Sequence, residues 1–307
     1  MTTLVTDRAR TNRGRRATER REAASRNRVV SRNRSAVSRW ARDCGLAVYS
    51  IWVLFPLYWL IKTSFNSGFV PSSLPPVWFG DFSLSAYRAA FASPSLHSAL
   101  AHSFIVAIGV TIVAGGSGSL AGYGLTHLRR SSRATGNYEF WVLSSRMAPP
   151  IAVAIPMFFL YTHAHLEDTL EGLTIAEVTT VVGIVTWIMI EAFRGIPMEL
   201  TEAAEVDGCS SWRAFSKVAL PLARPGLVGA ATIAFLLTWN EFLLALILTD
   251  TRAQTAPLAL YQYIGYETFN LSQLAAASCI VLVPTVLVVA MFQKQLITGL
   301  TFGAVRG

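Results

Sequence analysis

The chain has 307 residues, of which 52% belong to the hydrophobic set and only 14% are charged. Soluble domains carry about 25% charged residues, so this composition excludes ordinary soluble domains and indicates a membrane protein. Residues 1–43 hold thirteen Arg against four acids, whereas the rest of the chain has thirteen bases and fourteen acids. Because the net charge of +8 comes from one end of the chain, it gives no support to a folded nucleic-acid-binding surface.

The first 43 residues form an Arg- and Ser-rich arm without an apolar run. The arm lacks the apolar region of a secretory signal, and its composition is typical of a disordered tail that lies against anionic lipid head groups. An organelle transit peptide is the alternative that this composition leaves open. We predict a disordered cytoplasmic arm over residues 1–43 and a membrane domain over residues 44–307, with no nucleic-acid partner.

Six stretches of the remaining chain have the length and apolar character of membrane-spanning segments. A membrane helix needs about 20 mainly apolar residues, and backbone groups in lipid must be satisfied within the segment. We therefore predict an all-α polytopic protein embedded in the lipid bilayer, with six transmembrane helices at about 44–62, 98–124, 138–162, 173–193, 225–249 and 273–293.

The distribution of Lys and Arg between the loops predicts the orientation of these helices, because cytoplasmic loops carry an excess of both residues. With the N-terminus in the cytoplasm, 22 of the 26 basic residues lie on the cytoplasmic side or in the arm. Both termini are then cytoplasmic, and the charged loop at about 195–224 is cytoplasmic as well.

Two features that resemble ligand sites have simpler interpretations. The run "GGSGSLAGYG" from Gly115 to Gly124 lies inside the second predicted span and lacks the flanking strand and lysine of a phosphate-binding loop. Small residues recur there every four positions, which predicts close helix packing. The sequence "HAH" at His163–His165 and three dispersed cysteines have no metal-ligand spacing, so we expect neither a metal nor a bound cofactor in this chain.

Ionisable residues also occur inside the predicted spans, where burying a charge in lipid is costly and usually indicates a cavity or a partner. Arg146 precedes Pro149 and Pro150, which must break or kink the third span. Glu241 lies past the middle of the fifth span, in the sequence "TWNEF". Both charges fit either buried structural groups or a polar translocation pathway, for which the candidate residues are Arg146, Trp239, Asn240 and Glu241.

The charged loop predicts two short amphipathic helices. Good helix formers run from Met198 to Val206, and Gly208 can adopt the left-handed conformation that ends a helix. Ser210 or Ser211 can cap a second helix over 212–219, which Pro221 and Pro225 should end. We expect each helix to present an apolar face, formed in the first by Leu200, Ala203, Ala204 and Val206 and in the second by Trp212, Phe215 and Ala219. Such a pair is either a surface helix folded back on the membrane or a docking element for a cytoplasmic partner.

This loop resembles one that characterises the permease subunits of binding-protein-dependent ABC importers. Their cytoplasmic loop reads E-A-A, three residues, G, nine residues, I-x-L-P. The chain has Glu202-Ala203-Ala204, Gly208 at the same spacing and Val218-Ala219-Leu220-Pro221, with valine in place of isoleucine. The stretches "IPMELTEAAEVDG", "VALPLARPGL", "TWNEFLLALILT" and "GLTFGAVRG" are similar to the smaller six-span permease of maltose-type carbohydrate importers.

The resemblance, which covers residues 44–307, implies a type I ABC importer permease fold in a bacterial plasma membrane. It implies that the chain carries a carbohydrate by alternating access and is not an enzyme, since ATP and Mg²⁺ act in separate ATPase subunits. The implied partners are a second homologous permease, two ATPase subunits and an extracytoplasmic solute-binding protein. The implied ATPase-docking residues are Glu202, Ala203, Ala204, Asp207, Gly208, Trp212 and Phe215.

The loop between the fifth and sixth spans contains three tyrosines, Tyr261, Tyr263 and Tyr266. In the maltose-type family the corresponding loop reaches toward the solute-binding protein, so the resemblance makes these tyrosines candidates for contact with that protein or with the sugar.

The sequence leaves two other functions open. One is an ion-coupled secondary transporter, for which we find no internal repeat, and the other is a membrane scaffold that recruits partners through its arm.

Overall fold

The structure, a computed structural model, describes residue 40 and residues 42–66, 82–128, 140–142, 144, 149–261, 263–264 and 270–301. Most of the arm lies outside these residues, as do Arg146 and Tyr266. Within them the chain is helical apart from turns, and one isolated β-bridge joins Asn66 to Phe82. The prediction of an all-α protein is confirmed.

The chain divides into two units, residues 1–60 and residues 61–307, and each is described by itself. The first unit is described at Trp40 and along most of helix α1, which runs from Arg42 to Ser64. This helix has the length and apolar composition that a membrane span requires.

The second unit is built from helices that follow one another closely along the chain. Its described part contains α2 (Ser85–Phe91), α3 (Pro94–Leu128), α4 (Pro150–His163), α5 (Leu170–Arg194), α6 (Met198–Val206), α7 (Ser211–Leu222), α8 (Arg224–Trp239), α9 (Leu243–Leu248), α10 (Ala256–Tyr261) and α11 (Leu271–Thr301). The core lies where α3 packs along α5 and where α8 packs against α3, α5 and α11.

Four of the predicted spans coincide with long apolar helices, namely α1, α3, α5 and α11. The third predicted span is described mainly through α4, a helix of fourteen residues. Pro149 is extended and Pro150 is the first residue of α4, so the predicted break at these prolines is confirmed. The described residues contain four helices able to cross a membrane, or five if the bent pair α7 and α8 counts as one span.

The predicted continuous helix over 225–249 is wrong, because α8 ends at Trp239 and α9 begins only at Leu243. The side chains at the break explain the interruption. The Asn240 amide donates to the carbonyl oxygen of Leu236 at 2.8 Å, and the Glu241 carboxylate accepts from backbone N–H groups of α9. Both side chains offer the backbone an alternative to helical hydrogen bonding, which ends one helix and starts the next.

The small residues of α3 allow it to approach α5 closely, as predicted. A methyl group added at Gly118 would lie 2.7 Å from Cγ1 of Val185, and one added at Gly122 would lie 2.9 Å from Cβ of Met189. Ala114 is fully buried in the same core. The glycine run is therefore a packing surface between two helices, which is the interpretation that the sequence favoured.

Candidate functional site

The first helix of the charged loop, α6, has the predicted bounds of Met198 and Val206. Its C-terminus is closed by Gly208, which has a φ of +86°. The N–H of Gly208 donates to the Glu205 carbonyl at 3.0 Å, and the N–H of Cys209 donates to the Ala204 carbonyl at 2.9 Å. This pair of bonds is the Schellman arrangement, and it requires the left-handed conformation that glycine adopts without strain.

The second helix, α7, begins where the sequence predicts but ends later. The Ser210 hydroxyl accepts from the N–H of Arg213 and caps the helix. The prediction that Pro221 ends the helix is wrong, because α7 continues to Leu222 and bends by 78° into α8 only after that residue. A π-helical turn over Phe215–Ala219, with the N–H of Leu220 bonded to the Phe215 carbonyl, changes the helix register just before the proline.

One side of α7 is anchored in the membrane domain. Phe215 and Ala219 are buried, and the Phe215 ring lies 5.0 Å from the ring of Tyr123 on α3 and 6.2 Å from that of Phe193 on α5. Trp212, which we expected on the same buried face, is 63% exposed. Phe215 faces α3 and α5, whereas Trp212 lies at the surface with its ring 5.5 Å from that of Phe215.

The loop presents an exposed surface that we call the coupling surface. Its apolar members are Met198, Leu200, Val206 and Trp212, and Val206 is 87% exposed. Ala203, Asp207 and Gly208 are also exposed, while Glu202 and Ala204 are partly buried. The predicted apolar face of α6 is thus largely uncovered, and an exposed apolar patch with a polar rim is typical of a protein-binding site.

A second candidate site is a cavity of about 250 Å³ between α4, α5, α8 and α9. Its apolar wall is formed by α4 and by parts of the other helices. Its polar lining consists of Glu177, Thr179, Thr180, Thr238 and Glu241. The sequence identified Glu241 as a candidate pathway residue, and the structure places it at this cavity.

Glu241 has a structural partner as well as a place in the cavity. Its carboxylate oxygens accept from the N–H of Leu244 at 2.9 Å and from that of Ala245 at 3.2 Å, and so cap the N-terminus of α9. A carboxylate at a helix N-terminus is favourable because it meets free N–H groups and the positive end of the helix dipole.

Glu177 is the main polar residue of the cavity, and sequence reasoning did not select it. It is 1% exposed, and within the described part of the chain neither of its carboxylate oxygens has a hydrogen-bond partner. The Thr238 hydroxyl lies beside it without the geometry of a hydrogen bond, and Glu241 is close enough to interact electrostatically. Glu177, like Glu241, is an acid within a predicted apolar span, and this signal in the sequence could have identified it.

Trp239 and Asn240 lie away from the cavity lining. Trp239 is buried, and its indole N–H donates to the Val281 carbonyl of α11 at 3.2 Å. Asn240 is exposed and bonds back to its own helix. Their assignment to a translocation pathway, like that of Arg146, stays a prediction.

The loop after α9 is held by a single carboxylate from the other side of the unit. Asp168, between α4 and α5, accepts from the backbone N–H groups of Asp250, Thr251, Arg252 and Ala253 at 2.9 to 3.3 Å. Burial tends to raise the pKa of Asp168, but these four N–H donors outweigh it and hold the pKa below its usual value. The Asp168 backbone N–H also donates to the Leu248 carbonyl, so both connections are tied together.

The candidate tyrosines begin just beyond this held loop. Tyr261 ends α10, is 58% exposed and lies 6.1 Å from the Phe242 ring. Tyr263 is partly buried and packs against the cluster around Trp239. Tyr266 lies outside the described residues.

The membrane domain is helical, and it presents an exposed pair of helices with the spacing E-A-A, three residues, G. These two features define a permease of the ABC importer class. The chain belongs to the family of binding-protein-dependent transport system inner membrane components, whose model matches residues 116–298. It is therefore a multi-pass membrane permease subunit and not an enzyme. This membership decides against the ion-coupled secondary transporter.

Characterised relatives match over most of their length. The chain is 31% identical to the trehalose transport system permease protein SugB of Mycobacterium tuberculosis over 83% of this chain and 93% of that protein. It is 31% identical to the trehalose/maltose transport system permease protein MalG of Thermococcus litoralis, over 86% and 95%. The fold matches a bacterial ABC transporter for alginate import with a TM-score of 0.68 at 19% identity, over 81% of this chain and 92% of that chain.

Proposed function

We propose that the chain is one half of a carbohydrate-importing channel in a bacterial plasma membrane. In this proposal it pairs with a second homologous permease, two ATPase subunits that use ATP and Mg²⁺, and an extracytoplasmic solute-binding protein. The observation that carries the proposal is the coupling surface, an uncovered helix pair at the spacing of the E-A-A loop. Its apolar side chains need a partner in order to be buried.

The proposed cargo is a neutral disaccharide or a related sugar or polyol. Support comes from the two relatives described above, which are named for trehalose and for trehalose and maltose transport. A permease of this kind contributes the path, whereas the binding protein and the ATPases contribute capture and energy.

The coupling surface is proposed to dock on an ATPase subunit and to act as a lever. Glu202, Ala203, Ala204, Asp207 and Gly208 supply the docking element on α6, and Trp212 extends it onto α7. Phe215, anchored between Tyr123 and Phe193, transmits movement of the loop to α3 and α5. Differential contact of the loop with two ATPase states would then shift the permease between inward- and outward-open states.

We further propose that both termini and the coupling loop are cytoplasmic, as the distribution of basic residues indicates. The connections held by Asp168 and the tyrosines Tyr261, Tyr263 and Tyr266 are then extracytoplasmic. Aromatic rings with a polar hydroxyl suit contact with the binding protein or the sugar. The pathway itself is proposed to run past Glu241.

Uptake by proteoliposomes tests this proposal. The chain is reconstituted with the second permease, the ATPases and the binding protein of its own importer, and uptake of labelled trehalose and maltose is measured. We expect uptake that requires internal ATP and external binding protein and that survives collapse of the ion gradients. Uptake that persists without ATP but stops when the gradients collapse would overturn the proposal.

A further inference from the structure

The polar lining of the cavity includes a buried carboxylate, that of Glu177, which no described donor meets. A buried carboxylate without a partner is costly, and such groups in native structures are normally bonded to protein, water or a ligand. Among the described residues Glu177 has no partner for either oxygen, and the buried Thr238 hydroxyl has none either. These groups offer hydrogen-bond acceptors to a molecule that carries O–H or N–H donors.

The size and the ligand set of the cavity decide what kind of donor fits. A volume of about 250 Å³ is much larger than a bare cation needs, and the described residues contain no group of three His, Cys, Asp or Glu suited to a metal. Pockets of roughly 300–1,000 Å³ hold drug-sized molecules, so this smaller space suits a single sugar ring. Sugar rings offer O–H donors on several sides and apolar C–H faces.

The apolar part of the lining suits the same ligand. Pro150, Val153 and Met157 of α4 form one wall, opposite the carboxylates of Glu177 and Glu241. A sugar ring could place its C–H face on this wall and direct its hydroxyls toward the carboxylates. Mixed sites with a mostly apolar lining and a few placed polar groups are the usual form of small-molecule sites.

We propose that Glu177, together with Thr238 and Glu241, forms a sugar-binding subsite on the transport path that accepts hydroxyl groups of the cargo and disfavours acidic sugars. The proposal rests on the proposed function and specifies its substrate class. The preference against acidic sugars follows from charge, because the described lining contains two acids and no Lys, Arg or His. A carboxylate on the cargo would face two carboxylates at close range.

The roles of the two acids differ within the subsite. Glu241 is fixed by the N–H groups of α9, so its carboxylate is oriented before any ligand arrives. Among the described residues Glu177 has no such bonds, so both of its oxygens can accept hydrogen bonds from the cargo. Loss of the Glu177 charge should therefore weaken cargo contact without disturbing the break between α8 and α9.

The test uses the complete importer in proteoliposomes and measures sugar uptake and ATP hydrolysis side by side. The variants are Glu177→Gln and Thr238→Val, and the matched control is Thr232→Val, a buried threonine of the same helix that bonds to the Val228 carbonyl. Because glutamine replaces one of the two acceptor oxygens with an amide group, we expect Glu177→Gln to lower the maximal uptake of trehalose or maltose by about tenfold. The hydrolysis stimulated by the binding protein should stay within about twofold of wild type, so fewer sugars cross per ATP.

Four outcomes would overturn the subsite while leaving the proposed function intact. The first three are normal uptake by Glu177→Gln, an equal loss of uptake and hydrolysis in a complex that stays assembled, and wild-type uptake of a glucuronate-containing disaccharide at the rate of maltose. Rescue of Glu177→Gln by Arg146→Gln would also overturn it, since Glu177 would then be half of an internal ion pair. If wild-type importer hydrolyses ATP in response to its binding protein but moves none of these sugars, the proposed function itself fails, and the sugar subsite with it.

Discussion

Gly208 is the residue whose backbone conformation determines the shape of the coupling loop. Its φ of +86° closes the Schellman turn, and a Cβ added there would meet no other atom within 4 Å. Only the backbone conformation therefore restricts the residue, and space does not. A substitution at position 208 therefore tests the backbone conformation separately from steric fit.

We expect Gly208→Val to weaken ATPase binding and Gly208→Asn to preserve it. Valine is strained in the left-handed region by about 1–3 kcal/mol, whereas asparagine adopts that region readily. A penalty of this size corresponds to roughly a tenfold loss of ATPase that co-purifies with the permease. Equal co-purification of both variants would contradict a role for the turn.

Asp168 is the second residue whose single side chain organises a whole segment. Replacing it with asparagine keeps the size and tolerates its positive φ of 51°, but removes the charge that four N–H groups bind. We expect a loss of about 1.5–3 kcal/mol in stability, the usual value for hydrogen bonds to a charged group. Thermal unfolding of the purified permease measures it, and exposed Asp250→Asn in the same loop is the control.

The Asp168 effect should also depend on pH in a defined direction. Because its folded pKa lies below its usual value, the stabilisation is complete above that usual value and is lost as pH falls through the folded pKa. The difference in unfolding temperature between wild type and Asp168→Asn should therefore shrink in acid. A difference that grew on acidification would contradict this assignment.

At the level of the elements, the contact of α3 with α5 depends on glycines at one face. We expect Gly122→Ala to destabilise the permease by about 1–3 kcal/mol, since the new methyl would lie 3.1 Å from the backbone nitrogen of Ile190. Gly116→Ala in the same helix is the control, because a methyl there meets nothing within 4 Å. Alanine at position 116 should be neutral or slightly stabilising. Thermal unfolding of the two variants gives the comparison.

The two aromatic residues of α7 should separate anchoring from docking. Phe215→Ala removes a buried ring and should cost about 3–5 kcal/mol of stability. Trp212→Ala alters an exposed residue and should change stability by no more than about 0.5 kcal/mol while reducing co-purification of the ATPase. If Trp212→Ala retained the ATPase at the wild-type level, the coupling surface would not include α7.

At the scale of the whole molecule, the chain joins a basic arm to a membrane domain of nearly balanced charge. We expect a permease without residues 2–39 to keep its uptake within about twofold, because the family match begins far beyond the arm. In the full-length protein, trypsin should cleave the arm more slowly in vesicles with anionic lipid than in zwitterionic ones. Each basic residue near an anionic surface contributes about 1 kcal/mol to binding of the arm to the membrane. High salt should remove that difference. Loss of uptake on deletion would instead favour a scaffold role for the arm.

Much of the fold and of the coupling loop could be predicted from local signals. The bounds of α6, the turn at Gly208 and the cap at Ser210 depend on residues within one or two helical turns, so the sequence contains the information directly. The end of α7 and the exposure of Trp212 could not be predicted this way. They depend on a π-turn and on which side of α7 meets α3 and α5.

Hydropathy, spacing and capping act over short distances along the chain, so the membrane character, the small-residue packing stripe and the coupling loop could be predicted without the structure. The assembled helices were needed to show that Asp168 holds residues 250–253 and that, among the described residues, Glu177 lies beside Thr238 without a hydrogen-bond partner. Each of these depends on residues that are distant in sequence and become neighbours through helix packing. The partner of a buried polar group is therefore visible only once the helices are assembled.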